Sequence, residues 1–295
     1  MMRILLFLAT NLAIVLVASI TLSLLGVDTI MANNGVDLDL SSLLIFCAVF
    51  GMSGSIISLL ISKWIAKRST RTEIITTPRN SQERWLVETV AELAQKAGIG
   101  MPEVGIFPSP SPNAFATGWN RNSALVAVSE GLLRQMKPNE VRAVLAHEIG
   151  HVANGDMITL TLIQGVVNTF VMFFARIIGH TVDRVIFKTE RGHGIAFYIT
   201  TFVAEMVLGI LASTIVMWFS RWREFRADHA GATLASREDM IAALQSLQSQ
   251  QGIPSDLPGE MSAFGISSPS KTDLAALFSS HPPLEKRIQA LRDGG

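Results

Sequence analysis

The sequence predicts a mainly α-helical membrane protein that also carries an α+β domain outside the bilayer. Hydrophobic residues make up 49% of the 295 residues and charged residues only 16%, against roughly 25% charged residues in ordinary soluble domains. The apolar residues are concentrated in four stretches, at residues 4–26, 41–61, 157–175 and 195–219. The segments 63–156 and 220–295 remain, and together they have the size of one ordinary domain.

The first two stretches each have the length and composition of a membrane-spanning helix. Residues 4–26 and 41–61 contain no charged side chain, and about 20 consecutive apolar residues can cross a bilayer as a helix. The first stretch exceeds the ~7–15 apolar residues of a cleaved signal peptide, and a second stretch follows closely. We therefore expect residues 1–62 to form a retained anchor of two helices.

Charges around these two stretches predict their orientation. Three aspartates and no Lys or Arg lie in the loop between them, whereas Arg3 precedes the first stretch. Basic residues follow the second stretch, at Lys63, Lys67, Arg68 and Arg71. Because the cytoplasmic flanks of membrane helices carry the excess of Lys and Arg, we expect the N-terminus and the segment after residue 63 to be cytoplasmic.

The second pair of apolar stretches leaves two arrangements open. The loop of residues 176–193 carries four basic side chains, which argues against its translocation. Residues 157–219 therefore form either a hairpin that spans the membrane or a shallow hairpin. In either arrangement the chain returns to the face of the membrane from which it entered. Glu205 lies within the fourth stretch, and an acidic residue there is expected to face a structural partner.

Outside these stretches the pattern predicts a mixture of helices and strands. Apolar residues at helical spacing predict a helix over residues 81–96 with Ser81 as its N-cap. Short strands are expected at residues 103–107, 113–117 and 124–128. A further helix begins at Pro138 and ends at residues 154–155, and the Gly-, Pro- and Ser-rich residues 252–271 predict a loop before a final helix.

Composition also excludes some functions. The formal net charge is zero, so there is no electrostatic basis for binding nucleic acid. Cys47 is the single cysteine, which excludes a disulfide framework within the chain and does not favour a thiolate metal site. Its position in an apolar run predicts a small residue that faces lipid or a neighbouring helix.

The chemistry is predicted from one segment with the pattern His-Glu-x-x-His. His147 and His151 are four residues apart on a predicted helix, so they share one face and can bind one zinc ion together. Glu148 projects elsewhere around the helix and can stand beside the open position of the metal, where a general base belongs. Apolar neighbours predict burial of this helix, and buried histidines and glutamate need a shared partner such as a metal.

A catalytic zinc site also needs a third protein ligand. The segment 223–228 lies just after the fourth apolar stretch, and the two histidines lie just before the third apolar stretch. Because these two stretches form a hairpin, its two ends bring the histidines and the segment 223–228 together. Glu224 can complete a site of two histidines and one glutamate, with water in the fourth position. Asp228 lies on the same helix face and can accept a hydrogen bond from a ligand histidine. From spacing alone, His229 and His281 remain competitors for the third position.

These motifs resemble the HtpX family of bacterial membrane-bound zinc endopeptidases, which is related to the CAAX prenyl endopeptidases. The resemblance covers nearly the whole chain: two N-terminal spans, the His-Glu-x-x-His helix, a second apolar pair and the Glu224 to Asp228 segment. It implies a zincin-like (gluzincin) domain with a small sheet that ends in an edge strand. It also implies His147, His151 and Glu224 as zinc ligands and Glu148 as the catalytic base.

Two further motifs gain a possible function from the resemblance. The segment that begins with Asn113 and Ala114 is similar to the edge strand that lines the cleft of related peptidases, where a substrate can add as a strand. His281 and Arg287 lie in a C-terminal motif whose members would stabilise the oxyanion of the reaction. An ordinary strand and an ordinary capped helix remain the alternatives for these two motifs.

The sequence therefore predicts a zinc metalloendopeptidase with one Zn²⁺ per chain, while an alternative of another class stays open. The resemblance implies a bacterial inner-membrane enzyme with cytoplasmic catalytic segments, 63–156 and 220–295. It also implies damaged or misfolded membrane proteins, or other unfolded polypeptides, as substrates in protein quality control. The alternative is a membrane scaffold or chaperone-like binder with structural zinc, and a zinc transporter is a weaker third option. No feature indicates an oligomeric state.

Overall fold

The structure is a computed structural model that describes Ile20 and residues 38–190, 192–249 and 281–294. The predicted first span, apart from Ile20, and the predicted loop at 252–271 lie outside this part. The described elements, in chain order, are α1 Leu40–Thr70, β1 Glu73–Ile74, α2 Ser81–Lys96, β2 Glu103–Phe107, β3 Ala114–Thr117, β4 Leu125–Ser129, α3 Glu130–Gln135, α4 Pro138–Asn154, α5 Asp156–Thr181, a π-helical turn Val182–Ile186, α6 Ile195–Leu234, α7 Arg237–Ser249 and α8 Leu284–Arg292.

The chain divides into two compact units. One comprises Met1–Ile57 and Thr161–Ile215, and the other comprises Ser58–Leu160 and Val216–Gly295. Within the described residues, the first unit holds segments of the three long helices α1, α5 and α6. The second unit holds the sheet and the shorter helices. The mainly helical composition with one small sheet confirms the predicted fold class.

Three described helices are long and apolar enough to cross a membrane: Leu40–Thr70, Asp156–Ile186 and Ile195–Leu234. They contain the second, third and fourth apolar stretches. Large apolar side chains on these helices point outward, among them Phe50, Phe202 and Trp218, each more than half exposed. Many exposed apolar side chains on long helices are typical of helices that lipid surrounds.

Within the first unit, α1 and α5 pack closely through small side chains. A Cβ atom on Gly51 would lie 2.8 Å from the backbone nitrogen of Thr169, so only glycine permits this approach. Small residues at such contacts are the usual means by which membrane helices pack against each other. Cys47 is fully buried beside Phe173 and therefore faces the neighbouring helix.

The acidic residue of the fourth stretch has the structural partner that was expected. Nη1 of Arg176 on α5 lies 3.2 Å from Oε1 of Glu205 on α6. The same guanidinium lies over the ring of Phe46, at 5.6 Å from its centroid. Pairing in this way lowers the cost of placing both charges in an apolar helix pair.

The sheet of the second unit has four described strands in the order β1-β2-β4-β3. Strands β2 and β4 are parallel, and the other two pairs are antiparallel. The strand at residues 103–107 was predicted with its observed bounds, and the other two predicted strands differ by one residue. Strand β1 was missed because two residues are too few to show the alternation of apolar and polar side chains that predicts a strand. Strand β3 lies at the edge of the described sheet, as the family resemblance implied.

Helix α4 lies in the centre of the second unit, where it packs on β3, α2 and α7. Pro138 occupies its first turn, and Gly155 ends it in the left-handed conformation at φ 69°. Almost every residue from Val141 to Val152 is buried. For helix α2 the predicted N-cap was wrong by one residue: the Asn80 side chain, not Ser81, accepts the Glu83 N–H at 2.8 Å.

Candidate active site

The two motif histidines and Glu224 meet in the second unit. His147 and His151 project from α4, Glu224 projects from α6, and one ligand atom of each lies within 4.8 Å of the others. The carboxylate oxygens of Glu224 lie 3.6 Å from Nε2 of His147 and 3.2 Å from Nε2 of His151. Among the described residues this is the one such group of potential metal ligands.

Close contact between α4 and α6 makes this meeting possible. A Cβ atom on Gly150 would lie 2.7 Å from Cβ of Ala230 and 3.3 Å from the carbonyl oxygen of Ala227. A Cβ atom on Gly231 would lie 3.3 Å from the backbone nitrogen of His147. The two glycines therefore let the helices approach closely enough for Glu224 to reach both histidines.

The environment of Glu224 fits a metal ion. Its side chain is fully buried, and neither carboxylate oxygen accepts a hydrogen bond with acceptable geometry. Side-chain nitrogens of four residues nevertheless surround it at 2.7–3.6 Å. A buried carboxylate without hydrogen bonds is costly, whereas two imidazoles and one carboxylate are the donor set of a catalytic zinc site with an open position.

Two further carboxylates orient the histidines. Oδ1 of Asp228 lies 3.0 Å from Nδ1 of His147, and Oδ2 of Asp156 lies 2.8 Å from Nδ1 of His151. Contacts at Nδ1 leave Nε2 of each ring for a metal. The first contact agrees with the sequence analysis, but Asp156 was missed. Its place directly after the helix-ending Gly155, five residues beyond His151, is the signal that could have identified it.

Arg287, on helix α8, contacts the carboxylates of Asp228 and Glu224. Its Nε and Nη2 donate to the two oxygens of Asp228 at 2.8 and 2.7 Å, and its Nη1 lies 3.3 Å from Oε2 of Glu224. Burial raises the pKa of Asp228, but Arg287 outweighs this effect and holds that pKa at about 2. Arg287 is not among the described residues that line the site cavity, so its contacts differ from those expected for an oxyanion donor.

A small cavity lies among the three potential ligands and their neighbours. Its volume is about 10 Å³, close to the space that one water molecule needs. The residues that line it are Ala116, His147, Glu148, His151, Met157, Arg223, Glu224 and His281. Glu148 and all three potential ligands therefore line the same small cavity.

The electrostatics of the site favour a bound cation. Burial raises the pKa of Glu148. Burial lowers the pKa of His151, but Glu224 and Asp156 outweigh it and raise that pKa to about 9. Carboxylates thus dominate the surroundings of the two histidines, which is the local field that attracts a metal ion.

The other predicted site residues lie nearby. His281 is buried, lines the cavity and places Nδ1 2.7 Å from Oε2 of Glu224. Asn113 precedes the edge strand β3, and its Oδ1 accepts the N–H of Ala114 at 2.9 Å. Strand β3 packs on α4, and its Ala116 reaches the cavity. His229, the other competitor for the third ligand position, is not in the metal-binding group.

A His-Glu-x-x-His helix, a carboxylate as the third potential ligand and helices able to cross a membrane define a membrane-bound metalloprotease. The sequence agrees with this class, because residues 80–294 match the model of peptidase family M48. The chain belongs to that family. Membership of a peptidase family argues against the scaffold and transporter alternatives.

Individual proteins of known name or structure are also similar to this chain. The chain is similar to Protease HtpX from Pseudomonas syringae pv. tomato, with 69% identity over 295 residues and 100% of both chains. Protease HtpX from Pseudomonas putida shows the same identity and coverage. The crystal structure of Ste24p from S. mikatae shares the fold, with a TM-score of 0.62 and 19% identity over 95% of this chain and 67% of that one. These matches confirm the family resemblance.

Proposed function

We propose that this metalloprotease is a zinc-dependent endopeptidase with one zinc ion, held by His147, His151 and Glu224. The observation that carries the proposal is the shared cavity of about 10 Å³, in which Glu148 stands beside all three ligand residues. A structural zinc site would use four protein ligands, and among the described residues the group contains three. The remaining position is then available for the reaction.

Glu148 acts as the general base. When bound, zinc supplies Lewis-acid chemistry that polarises a carbonyl group and makes water acidic. Glu148 accepts a proton from the attacking water and passes it to the nitrogen of the leaving amine. The raised pKa that burial gives Glu148 suits this task, because a general base works best when its pKa approaches the working pH.

The supporting residues have separate tasks. Asp228 and Asp156 hold the two ligand imidazoles by their Nδ1 atoms. His281 lines the cavity, and we assign it to stabilise the oxyanion of the scissile carbonyl. Arg287 acts as a positioning residue through Asp228 and Glu224, in place of the oxyanion role predicted from its motif.

The substrate main chain is proposed to bind along strand β3. This strand is the edge of the described sheet and lies against α4. A polypeptide can add to such an edge by backbone hydrogen bonds, with Asn113 and Ala114 at the start of the strand and Ala116 at the cavity. Recognition through the backbone suits an enzyme that acts on many unfolded sequences.

The proposed location rests on the charge pattern and the family resemblance, and the proposed substrates rest on the family resemblance. Basic residues after the second apolar stretch support a cytoplasmic position for the catalytic segments, in the inner membrane of a bacterium. An enzyme anchored in the bilayer meets other membrane proteins readily. We therefore propose damaged or misfolded membrane proteins as its natural substrates, in protein quality control.

Metal removal and reloading tests the function. The whole chain is purified in detergent, treated with a chelator, and reloaded with zinc, magnesium or buffer. The readout is the appearance of internal fragments of casein, an unfolded polypeptide. We expect cleavage only after zinc is restored. Equal cleavage in the zinc-free sample, with metal analysis confirming the absence of zinc, would contradict the proposal.

A further inference from the structure

Arg223 is a buried cation that has no role in the mechanism proposed for Glu148 and the three potential ligands. It directly precedes Glu224 on α6 and is only 4% exposed. Its Nη2 donates to Oγ of Ser220 at 3.2 Å, whereas its Nε makes no hydrogen bond. No ion pair joins it to a carboxylate of the described residues. Arg287, by contrast, is matched to Asp228.

Because no described carboxylate pairs with Arg223, its buried positive charge favours the binding of an anion. Removing a guanidinium from water is costly, and only a paired anion or a set of acceptors offsets this cost. A neutral hydroxyl such as that of Ser220 satisfies one of its five N–H groups. A negative charge that arrives or develops at this place would therefore be bound strongly.

The location of Arg223 indicates which atoms supply that charge. Its side chain lines the same cavity as Glu148 and the three potential ligands. The cavity holds about 10 Å³, which is close to the space of one water molecule. Atoms that react at the potential ligands would therefore lie next to the Arg223 guanidinium.

We propose that Arg223 is a further catalytic residue, whose guanidinium binds the oxyanion of the scissile carbonyl beside His281. This assignment rests on the proposed function of the site. When the water oxygen bonds to the carbonyl carbon, the π electron pair moves onto the carbonyl oxygen, and Glu148 accepts the water proton. Arg223 donates a hydrogen bond to the oxygen that has become negative. The pair then re-forms the C=O bond, the C–N bond breaks, and the amine nitrogen takes the proton from Glu148.

The first test separates the chemical step from substrate binding. Arg223→Gln and Arg223→Lys are compared with Arg226→Gln, a control on the same helix. Arg226 is exposed and lies over the Trp222 ring at 5.1 Å. We expect Arg223→Gln to lower kcat by about 100- to 1,000-fold with KM unchanged, as for the loss of one oxyanion donor. Arg223→Lys should restore part of kcat, and Arg226→Gln should match the wild type.

A binding measurement checks the same assignment without turnover. A phosphinic peptide carries the tetrahedral, charged geometry of the reacting carbonyl, and its affinity should fall by the same factor as kcat/KM in Arg223→Gln. Binding of the substrate peptide to Glu148→Gln should not change when Arg223→Gln is added. Zinc content and thermal unfolding of the Arg223 variants should equal those of the wild type.

Other outcomes would overturn the assignment. A rise in KM at constant kcat would make Arg223 a binding group for a ground-state anion, such as a substrate C-terminus. Loss of zinc, or of thermal stability in both Arg223 variants, would make its role structural. If the wild type itself cleaves without zinc, or Glu148→Gln retains activity, the proposed function fails, and that failure is visible before any Arg223 variant is measured.

Discussion

Arg287 binds both oxygens of Asp228, at 2.8 Å from Nε to Oδ2 and 2.7 Å from Nη2 to Oδ1. Arg287 is fully buried and Asp228 is 2% exposed. Asp228 in turn lies 3.0 Å from Nδ1 of His147. The last described helix, α8, is thereby connected through α6 to helix α4, which carries His147, so the orientation of His147 depends on all three helices.

Arg287→Met should therefore destabilise the protein strongly. It leaves the carboxylates of Asp228 and Glu224 buried beside an apolar side chain, and breaking a buried ion pair on one side typically costs about 3–5 kcal/mol. The double variant Arg287→Met/Asp228→Leu should lose less than the sum of the two single variants. Thermal unfolding in detergent measures both. Arg292→Met, an exposed site on the same helix, is the control, and additive losses would count against the coupling.

Asp156→Asn should weaken metal binding while leaving the fold intact. Its Oδ2 lies 2.8 Å from Nδ1 of His151, and loss of a carboxylate partner of a ligand histidine typically lowers metal affinity about 10- to 100-fold. Competition with a chelator of known affinity measures the change. Asp293→Asn changes the same group at an exposed position and should have no effect. Equal affinity in Asp156→Asn and wild type would remove Asp156 from the site.

Gly150→Ala should perturb the approach of α4 to α6. The added methyl group would lie 2.7 Å from Cβ of Ala230, and extra atoms in a packed interior typically cost about 1–3 kcal/mol. We expect a lower unfolding temperature and weaker zinc binding. Gly209→Ala is the matched control, because no heavy atom lies within 4 Å of its added Cβ. If both variants unfold at the same temperature, close packing at Gly150 is not required.

The contacts of Glu103 predict a pH dependence of stability. Lys63 lies 2.8 Å from its Oε1, and Lys67 also contacts the carboxylate. Burial opposes ionisation of Glu103, but the lysines outweigh it and lower its pKa. A lowered pKa stabilises the fold above the unfolded-state pKa, near 4.3 for a glutamate, and that contribution is lost as pH falls toward the lowered value.

Wild type should therefore be more stable than Glu103→Gln at pH 7, by up to about 1 kcal/mol for a partly exposed pair. The difference should shrink as pH falls below about 4. Unfolding curves of both proteins at a series of pH values provide the test. A difference that stays constant, or grows, toward low pH would show that the two lysines do not stabilise the ionised carboxylate.

Local patterns in the sequence predicted the parts of this fold that depend on local physics. Helical spacing placed His147, Glu148 and His151 together, since residues one and four apart on a helix have fixed relative directions. The long apolar stretches predicted three of the helices, because their length matches the bilayer. Pro138 and Gly155 predicted the two ends of α4, because proline favours the first turn of a helix and glycine favours the left-handed conformation that ends one.

Contacts between distant segments were harder to predict. Spacing alone left Glu224 in competition with His229 and His281, and only the family resemblance favoured it. Asp156 was missed although it lies only five residues beyond His151, because its contact forms across the turn after Gly155, which helical spacing does not describe. Arg223 was not selected, because its proposed role depends on the cavity that it lines with Glu148 and the three potential ligands. The contacts of Arg287 were also not predicted. Its motif suggested an oxyanion donor, whereas the packing of α8 in the structure places it against Asp228.

The central claim, that Glu148 is the base of a zinc peptidase, is tested most directly by one paired measurement. Wild type and Glu148→Gln are purified in detergent, stripped with a chelator and reloaded with zinc, and both zinc content and casein cleavage are measured. We expect one zinc per chain in each protein and a loss of cleavage of about 100- to 10,000-fold in the variant. Cleavage at the wild-type rate by zinc-loaded Glu148→Gln would contradict it.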